Sequence, residues 1–232
     1  MKNKSYAELL KRYDSDTIVD CLTPYITTKR KQRIDMVLDH RLHNIQLAIE
    51  SPSDINNALA AVRTGEALGV DTIHLISPEG EAVAARTITQ GACYWVDMVF
   101  HDSLPDFLTL MKQQNYFLAG AVITAPLSLS SVPIEKPLCI MIGNETRGLS
   151  ADAQAACDMT YCIPMFGMSE SLNLSVSAAI SLYEMTSRKR LQLAHTTDLQ
   201  PQQRRYYQAK YYLNSVESRL AEGVLCKKSS RA

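Results

Sequence analysis

The sequence predicts an α/β fold in which a parallel sheet is covered by helices on both faces. From residue 44 onward, six short apolar segments alternate with segments whose apolar residues recur at helical spacing. The six segments are largely apolar throughout, which is typical of strands that are buried on both sides. The composition, 46% hydrophobic and 21% charged over 232 residues, is that of an ordinary globular protein.

Local signals mark the individual elements. Gly69 is a stop for the first helix of the sheet region, Pro105 stands near the start of the third, and Ser150 is a suitable N-cap for the fourth. We predict strands at 44–50, 72–77, 94–100, 116–124, 138–143 and 161–165, and helices at 55–70, 81–92, 104–114, 150–157 and 171–190.

Helical extensions are predicted on both sides of the sheet region, roughly at residues 5–40 and 201–221. The connection before the second extension, LAHTTDLQP, is polar and ends in Pro201. We therefore divide the chain into an N-terminal helical extension at 1–41, a central domain at 42–190 and a basic C-terminal helical extension at 191–232.

The net charge of zero conceals a separation of charge along the chain. Residues 1–41 carry nine Lys and Arg against six Asp and Glu, and residues 188–232 carry ten against three. The centre, residues 42–187, carries five against fifteen. Basic ends on an acidic body are typical of arms that bind a polyanion, but solvated terminal helices also collect Lys and Arg, so charge alone leaves both interpretations open.

Several classes of protein are disfavoured. No apolar run reaches the roughly 18 residues of a membrane span, and the N-terminus has no apolar signal-peptide core. The six cysteines are scattered, with neither a CxxC motif nor a Cys/His ligand pair. We therefore expect a reduced cytoplasmic protein without a metal site or a membrane partner.

Three strand ends carry unusual residues. Neither G-x-G-x-x-G nor G-x-x-x-x-G-K-[ST] is present, so a ligand would have to bind elsewhere along the carboxyl ends of the strands. One stretch places Asn57 and Arg63 in a helix, six residues apart, so they share no helix face unless the helix starts after Asn57. Arg63 either binds a phosphate or carboxylate or is an ordinary surface arginine.

The other two stretches contain glycines. GNETRGL has Gly143, which permits close approach of a ligand to the backbone, and Gly148, which permits a left-handed turn. FGMSESLNLS has glycine and serine next to the backbone, with Ser171 and Asn173 able to hold a loop. The alternatives are a plain glycine turn with Glu145 in solvent, and an ordinary helix N-cap.

Together the stretches resemble the SpoU/TrmH branch of the SPOUT RNA methyltransferases. The similarity covers residues 44–190 and rests on N-x5-R in NALAAVR, on GNETRGL, and on the long pattern in IPMFGMSESLNLSV. The extensions are most similar to those of the tRNA guanosine 2′-O-methyltransferases of this branch, the TrmH group. The resemblance implies a C-terminal deep trefoil knot and a homodimer.

The resemblance also implies S-adenosylmethionine as the cofactor and the attack of a ribose 2′-hydroxyl on its methyl group. By position, the adenosyl pocket would be lined by Thr124 or Ala125, Gly143, Ile163, Met165 and Leu172. The implied catalytic residues are Arg63, Asn57, Glu145, Ser171 and Asn173. Because a guanidinium keeps its proton to a pH above about 12, we expect Arg63 to bind phosphate and stabilise developing alkoxide charge rather than to act as a base.

The resemblance to the TrmH group implies that the RNA is tRNA, methylated at guanosine 18 of the D-loop. The alternatives are a 2′-O-methyltransferase of rRNA or of another tRNA loop, and an RNA-binding protein without catalysis. Tyrosines of the C-terminal helix either stack on bases or pack that helix. Phosphate contacts are predicted for the basic residues Lys29, Arg30, Lys31, Arg33, Arg41, Arg204, Arg205 and Lys210.

Overall fold

The computed structural model describes residues 2–77 and 91–229, so the helix predicted at 81–92 lies almost wholly outside the described residues. The described helices are α1 (Lys2–Arg12), α2 (Ser15–Leu22), α3 (Thr28–Leu38), α4 (Ile55–Ala67), α5 (Leu104–Gln113), α6 (Ala151–Ala156), α7 (Leu174–Gln192), α8 (Pro201–Ser215) and α9 (Ser218–Ser229).

All the strands of the sheet are parallel. They are β1 (Ile45–Glu50), β2 (Thr72–Ile76), β3 (Asp97–His101), β4 (Phe117–Ala121), β5 (Leu138–Ile142) and β6 (Met159–Tyr161). Their spatial order is β3-β2-β1-β5-β4-β6, and Leu47 of β1 lies between Ile73 of β2 and Ile140 of β5. The predicted parallel α/β sheet is confirmed.

Helices cover both faces of this sheet, each over its own apolar core. Leu47 and Ile140 belong to a core that includes residues of α4 and α7. Their chain neighbours Ala48 and Met141 belong to a second core, with residues of α5 and α6. Because successive strand residues point to opposite faces, the unbroken apolar runs of β1 and β5 supply both cores.

Two strands lie elsewhere than predicted. The last strand ends at Tyr161 instead of covering 161–165, because Pro164 has no N–H for a ladder and Cys162 instead donates its backbone N–H to Leu127 O at 2.8 Å. The strand predicted at 94–100 begins only at Asp97. A short 3₁₀ turn, Gly91–Tyr94, takes up the start of the predicted segment.

The sheet and its helices, residues 42–195, form one compact unit, and residues 2–41 and 196–229 form a second. The single C-terminal helix predicted at 201–221 is in fact two helices, because Val216 takes an extended conformation between α8 and α9. In the second unit Ile18, Leu22 and Leu213 are fully buried.

Within residues 2–77 and 91–229, no helix is long and apolar enough to cross a membrane. The same part of the chain contains no group of three or more His, Cys, Asp or Glu that could hold a metal ion. All six cysteines are free thiols.

Candidate active site

The ends of β4, β5 and β6 open onto a cavity of about 390 Å³ at the carboxyl edge of the sheet. Its lining combines the segment after β4, the GNETRGL loop after β5, and residues 163–177 after β6. Five of the residues predicted for a cofactor pocket line this cavity: Thr124, Gly143, Ile163, Met165 and Leu172. Ala125, the predicted alternative to Thr124, is not among the described residues of the cavity wall.

The loop after β5 is closed and leaves no room for side chains at its base. Asn144 and Gly148 exchange two backbone hydrogen bonds of 3.0 and 2.9 Å. A Cβ on Gly143 would lie 2.1 Å from the carbonyl carbon of Gly148, and Gly148 itself has a φ of +67°. Both glycines are therefore required by the backbone path: Gly148 makes the left-handed turn that the sequence predicts, whereas at Gly143 it is the loop's own backbone, and not a ligand, that approaches closely.

The Asn144 side chain joins this loop to the turn after β1. Its amide nitrogen donates to Ser51 O at 2.6 Å and to Ser53 Oγ at 2.8 Å. Its oxygen accepts from the backbone N–H groups of Thr146 and Arg147. Asn144 is buried, and sequence reasoning missed this role although the residue stands inside the quoted motif.

Three motif residues form a hydrogen-bonded chain beside the cavity. Asn57 donates from its side-chain amide to Glu145 Oε1 at 2.9 Å, and Asn173 donates to Asn57 Oδ1 at 3.0 Å. Asn173 also caps α7 by accepting from the backbone N–H and the hydroxyl of Ser175. One polar chain therefore connects the starts of α4 and α7 with the loop after β5.

Glu145 is held as a carboxylate. Partial burial works to raise its pKa, but hydrogen bonds from Asn57 and from the backbone N–H groups of Ser53 and Asp54 outweigh burial and hold the pKa below its usual range. Both of its oxygens accept hydrogen bonds at neutral pH. It is therefore suited to fix the loop and the start of α4, and not to accept a proton.

Arg63 lies apart from this chain of contacts. α4 starts before Asn57, so six residues of helix turn Arg63 about 120° away from the Asn57 face. Its side chain is exposed, and within the described residues it has neither a hydrogen bond nor an ion pair. Ser171, in contrast, lines the cavity, as does Glu170 beside it.

Comparison with known proteins identifies the family. Residues 44–183 match the family described as SpoU rRNA Methylase. The chain belongs to this family. A protein named tRNA (guanosine(18)-2′-O)-methyltransferase from Borreliella burgdorferi is 29% identical over 180 residues, which are 76% of this chain and 83% of that protein. A protein of the same name from Thermus thermophilus is 32% identical, over 71% of this chain and 85% of its own.

A solved structure agrees with this assignment. The A. aeolicus TrmH/SpoU tRNA modifying enzyme is 27% identical to this SpoU methyltransferase and superposes with a TM-score of 0.71. The similarity covers 82% of this chain and 98% of that enzyme. Enzymes of the SpoU family use S-adenosylmethionine as their methyl donor.

One of the predicted RNA contacts of this SpoU methyltransferase is wrong. Arg41 is 0% exposed, and its Nε donates to the Tyr211 hydroxyl at 2.8 Å, so it cannot reach a phosphate on the surface. Of the tyrosines on α8, Tyr207, Tyr211 and Tyr212 are buried and pack the helix, while Tyr206 remains 37% exposed.

Several other basic residues of the second unit are only partly accessible for phosphate contacts. Arg204 forms ion pairs with Asp35 and Asp39, and Arg205 forms ion pairs with Asp16 and Asp20. The remaining predicted contacts differ in exposure: Lys29 and Arg33 are exposed, whereas Arg30, Lys31 and Lys210 are half-buried.

Proposed function

We propose that this protein methylates the ribose 2′-oxygen of guanosine 18 in the D-loop of tRNA, with S-adenosylmethionine as the donor. The observation that carries the proposal is the cavity at the ends of β4, β5 and β6, bordered by the Glu145–Asn57–Asn173 chain. Relatives about 30% identical over most of their length bear the name of this reaction.

The residues of the cavity fit the proposed cofactor. Gly143 and the loop after β5 form part of the cavity wall, where main-chain groups would bind the polar edge of an adenine. Ile163, Met165 and Leu172 supply apolar surface for the faces of a purine and for the methionine stem. When bound, S-adenosylmethionine supplies an activated methyl group on a sulfonium centre.

The protein's contribution to the reaction is position and charge. Asn57, fixed from both sides by Glu145 and Asn173, orients the ribose, and Ser171 shapes the loop over the cavity. Arg63 binds a backbone phosphate and stabilises the negative charge that develops on the 2′-oxygen. Its guanidinium does not accept the hydroxyl proton, because it keeps its own proton at neutral pH.

The proposed enzyme is a homodimer. Val176, Ile180 and Tyr183 lie one helical turn apart along α7 and are 43%, 37% and 64% exposed. An exposed apolar stripe of this kind is typical of a helix that packs on a partner. In a homodimer, Arg63 of one subunit would enter the active site of the other. This would explain why Arg63 lies apart from the Glu145–Asn57–Asn173 chain of its own subunit.

The C-terminal part of the sheet unit is proposed to form the deep trefoil knot of the family. Two observations support this proposal: the match to the A. aeolicus enzyme, and hydrogen bonds from α7 to the loop between β4 and β5. Arg188 donates to Val132 O and the buried Lys189 donates to Ile134 O, both at 2.8 Å.

The second unit, residues 1–41 together with the chain after the sheet unit, is proposed to hold the tRNA. Lys29 and Arg33 supply exposed positive charge for sequence-independent phosphate contacts. Because tRNA is modified where it is processed, we place the enzyme in the cytoplasm.

The test is transfer of a labelled methyl group to a panel of unmodified RNAs: full-length tRNA, an anticodon stem-loop and rRNA fragments. We expect one methyl group per tRNA and none on the other RNAs, and Arg63→Ala should lower the rate by at least about 100-fold. Methylation of the rRNA fragments or of the anticodon stem-loop would show that the proposed substrate position is wrong. A protein that binds tRNA but transfers nothing would overturn the enzymatic proposal.

A further inference from the structure

A second, more polar recess adjoins the cavity at the carboxyl edge of the sheet. Its volume is about 510 Å³, and its wall includes Ser51 and Ser53 from the turn after β1. Asn144 and Arg147 line both the recess and the cavity, so these two residues stand at the boundary between them.

Arg147 has a fixed backbone and a free side chain. Its N–H donates to Asn144 Oδ1 at 3.1 Å, inside the loop closed by Asn144 and Gly148. The side chain is exposed, and in the described part of the chain its guanidinium contacts no acceptor. Arg188 and Arg190 of the same unit, by comparison, donate to the backbone carbonyl groups of Val132 and Leu68.

A free guanidinium on a rigid loop is preorganised to bind an anion that offers two oxygens. Little backbone entropy remains to be lost on binding, and the fork of five N–H groups matches the oxygens of a phosphate or a carboxylate. Asp54 is the carboxylate in the recess wall, and its Oδ1 already accepts from the backbone and side-chain N–H groups of Asn56.

We infer that Arg147 binds the RNA phosphodiester on the 3′ side of the methylated ribose and that the polar recess receives the adjoining backbone. The inference rests on the proposed function and adds a substrate contact to it. In RNA the 3′-phosphate is attached to the carbon next to the one that bears the 2′-hydroxyl. A ribose that presents this hydroxyl to the cavity therefore holds its 3′-phosphate within a few bonds of it, and Arg147 is the cation among the described residues of the cavity wall.

The competing ligand for Arg147 is the carboxylate of the cofactor's methionine part. The two assignments predict different effects of losing Arg147 on the affinity for tRNA and on the affinity for S-adenosylmethionine. If Arg147 binds phosphate, its loss weakens tRNA binding and catalysis and leaves the affinity for S-adenosylmethionine unchanged. If it binds the cofactor carboxylate, the affinity for S-adenosylmethionine falls even without RNA.

The experiment compares wild type, Arg147→Ala, Arg147→Lys and Lys112→Ala. Lys112 is an exposed cation near the end of α5, which leads to the opposite edge of the sheet, so its removal controls for loss of one positive charge. Steady-state kinetics give kcat and KM for tRNA, calorimetry gives the Kd of S-adenosylmethionine, and filter binding gives the salt dependence of the tRNA Kd. Thermal melting verifies that each variant is folded.

For Arg147→Ala we expect kcat/KM for tRNA to fall about 10- to 100-fold, the size of a lost charge-assisted contact. The slope of log Kd against log salt should fall by about one, and Arg147→Lys should recover part of the loss. Unchanged tRNA kinetics, or a weakened affinity for the cofactor, would overturn the assignment. A wild type without methyl transfer would overturn the proposed function instead, and the salt slope of tRNA binding would still test Arg147.

Discussion

The side-chain amide of Asn57 donates a 2.9 Å hydrogen bond to Glu145, a residue 88 positions further along the chain. This contact joins the start of α4 to the loop after β5, and Asn173 extends it to the start of α7. Three segments that are distant in the sequence thus share one polar chain at the edge of the cavity. Its rigidity is the physical basis of the predictions on Glu145 and Gly143.

Glu145→Gln tests that chain with little change of shape. Ser53 N–H binds Oε2 and the Asn57 amide binds Oε1, so a glutamine, which keeps one accepting oxygen, leaves one of these two donors without its acceptor and weakens the link between the loop and the start of α4. We expect kcat to fall about 10- to 100-fold while the Kd of S-adenosylmethionine changes little. Asp152→Asn, which alters an exposed carboxylate on α6, is the matched control, and equal activity of the two variants would contradict the role of Glu145.

Gly143→Ala tests the close approach of the backbone. The added Cβ would lie 2.1 Å from two backbone atoms of the same loop, so the loop must open. Calorimetry should therefore find cofactor binding at least about tenfold weaker. Gly167→Ala is the control, because a Cβ there meets nothing within 4 Å. If both variants bind the cofactor like wild type, the tight loop is not part of the pocket.

Substitutions at Arg41 and Arg33 distinguish a loss of stability from a loss of RNA binding. Arg41 is buried against Tyr211, so Arg41→Ala should reduce the free energy of unfolding by about 2 to 3 kcal/mol. Arg33 is exposed, and Arg33→Ala should leave stability within about 0.5 kcal/mol while weakening tRNA binding in a salt-dependent way. Chemical denaturation and filter binding measure the two effects. A stable Arg41→Ala variant with weakened tRNA binding would reverse the assignment.

The paired histidines His74 and His101 predict a pH dependence of stability. Gln46 donates from its Nε2 to the Tyr116 hydroxyl, so its Oε1 accepts from His74 Nε2, and the neutral His74 accepts at Nδ1 from His101 Nε2 at 2.9 Å. Burial, helped by His101, lowers the pKa of His74 from 6.5 to about 3. The stability that depends on neutral His74 is complete above pH 6.5 and is lost as the pH falls towards 3, because only the unfolded chain then takes up the proton.

Unfolding curves between pH 7 and 4 measure this loss. Below pH 6 the slope due to His74 should approach about 1.4 kcal/mol per pH unit. His74→Gln removes the titrating group, so its stability should fall less steeply with pH than that of wild type. Parallel curves for the two proteins would show that His74 binds its proton equally well when folded.

The sequence predicted which strand ends carry the candidate site, and this follows from simple geometry. In a parallel sheet all carboxyl ends lie on one edge, so the segments with Asn57, Glu145 and Asn173 lie along the same edge. What could not be predicted depends on side chains far apart in the chain. The partner that buries Arg41 is Tyr211, 170 residues away, and a count of charges contains no such information.

Arg63 shares a motif with Asn57, and the helix that contains both starts before Asn57, so six residues of helix turn Arg63 to another side of α4, as the spacing predicts. Arg147 belongs to a quoted motif too, but only the folded loop shows that it borders two cavities.

The most direct test of the account is mass-spectrometric mapping of methyl groups on two tRNAs, one unmodified and one with a 2′-deoxy guanosine at position 18. Both are incubated with the protein and S-adenosylmethionine. The account predicts one methyl group, on the ribose of guanosine 18, in the first tRNA and none in the second. A methyl group on a base, or on any ribose of the deoxy-substituted tRNA, would contradict it.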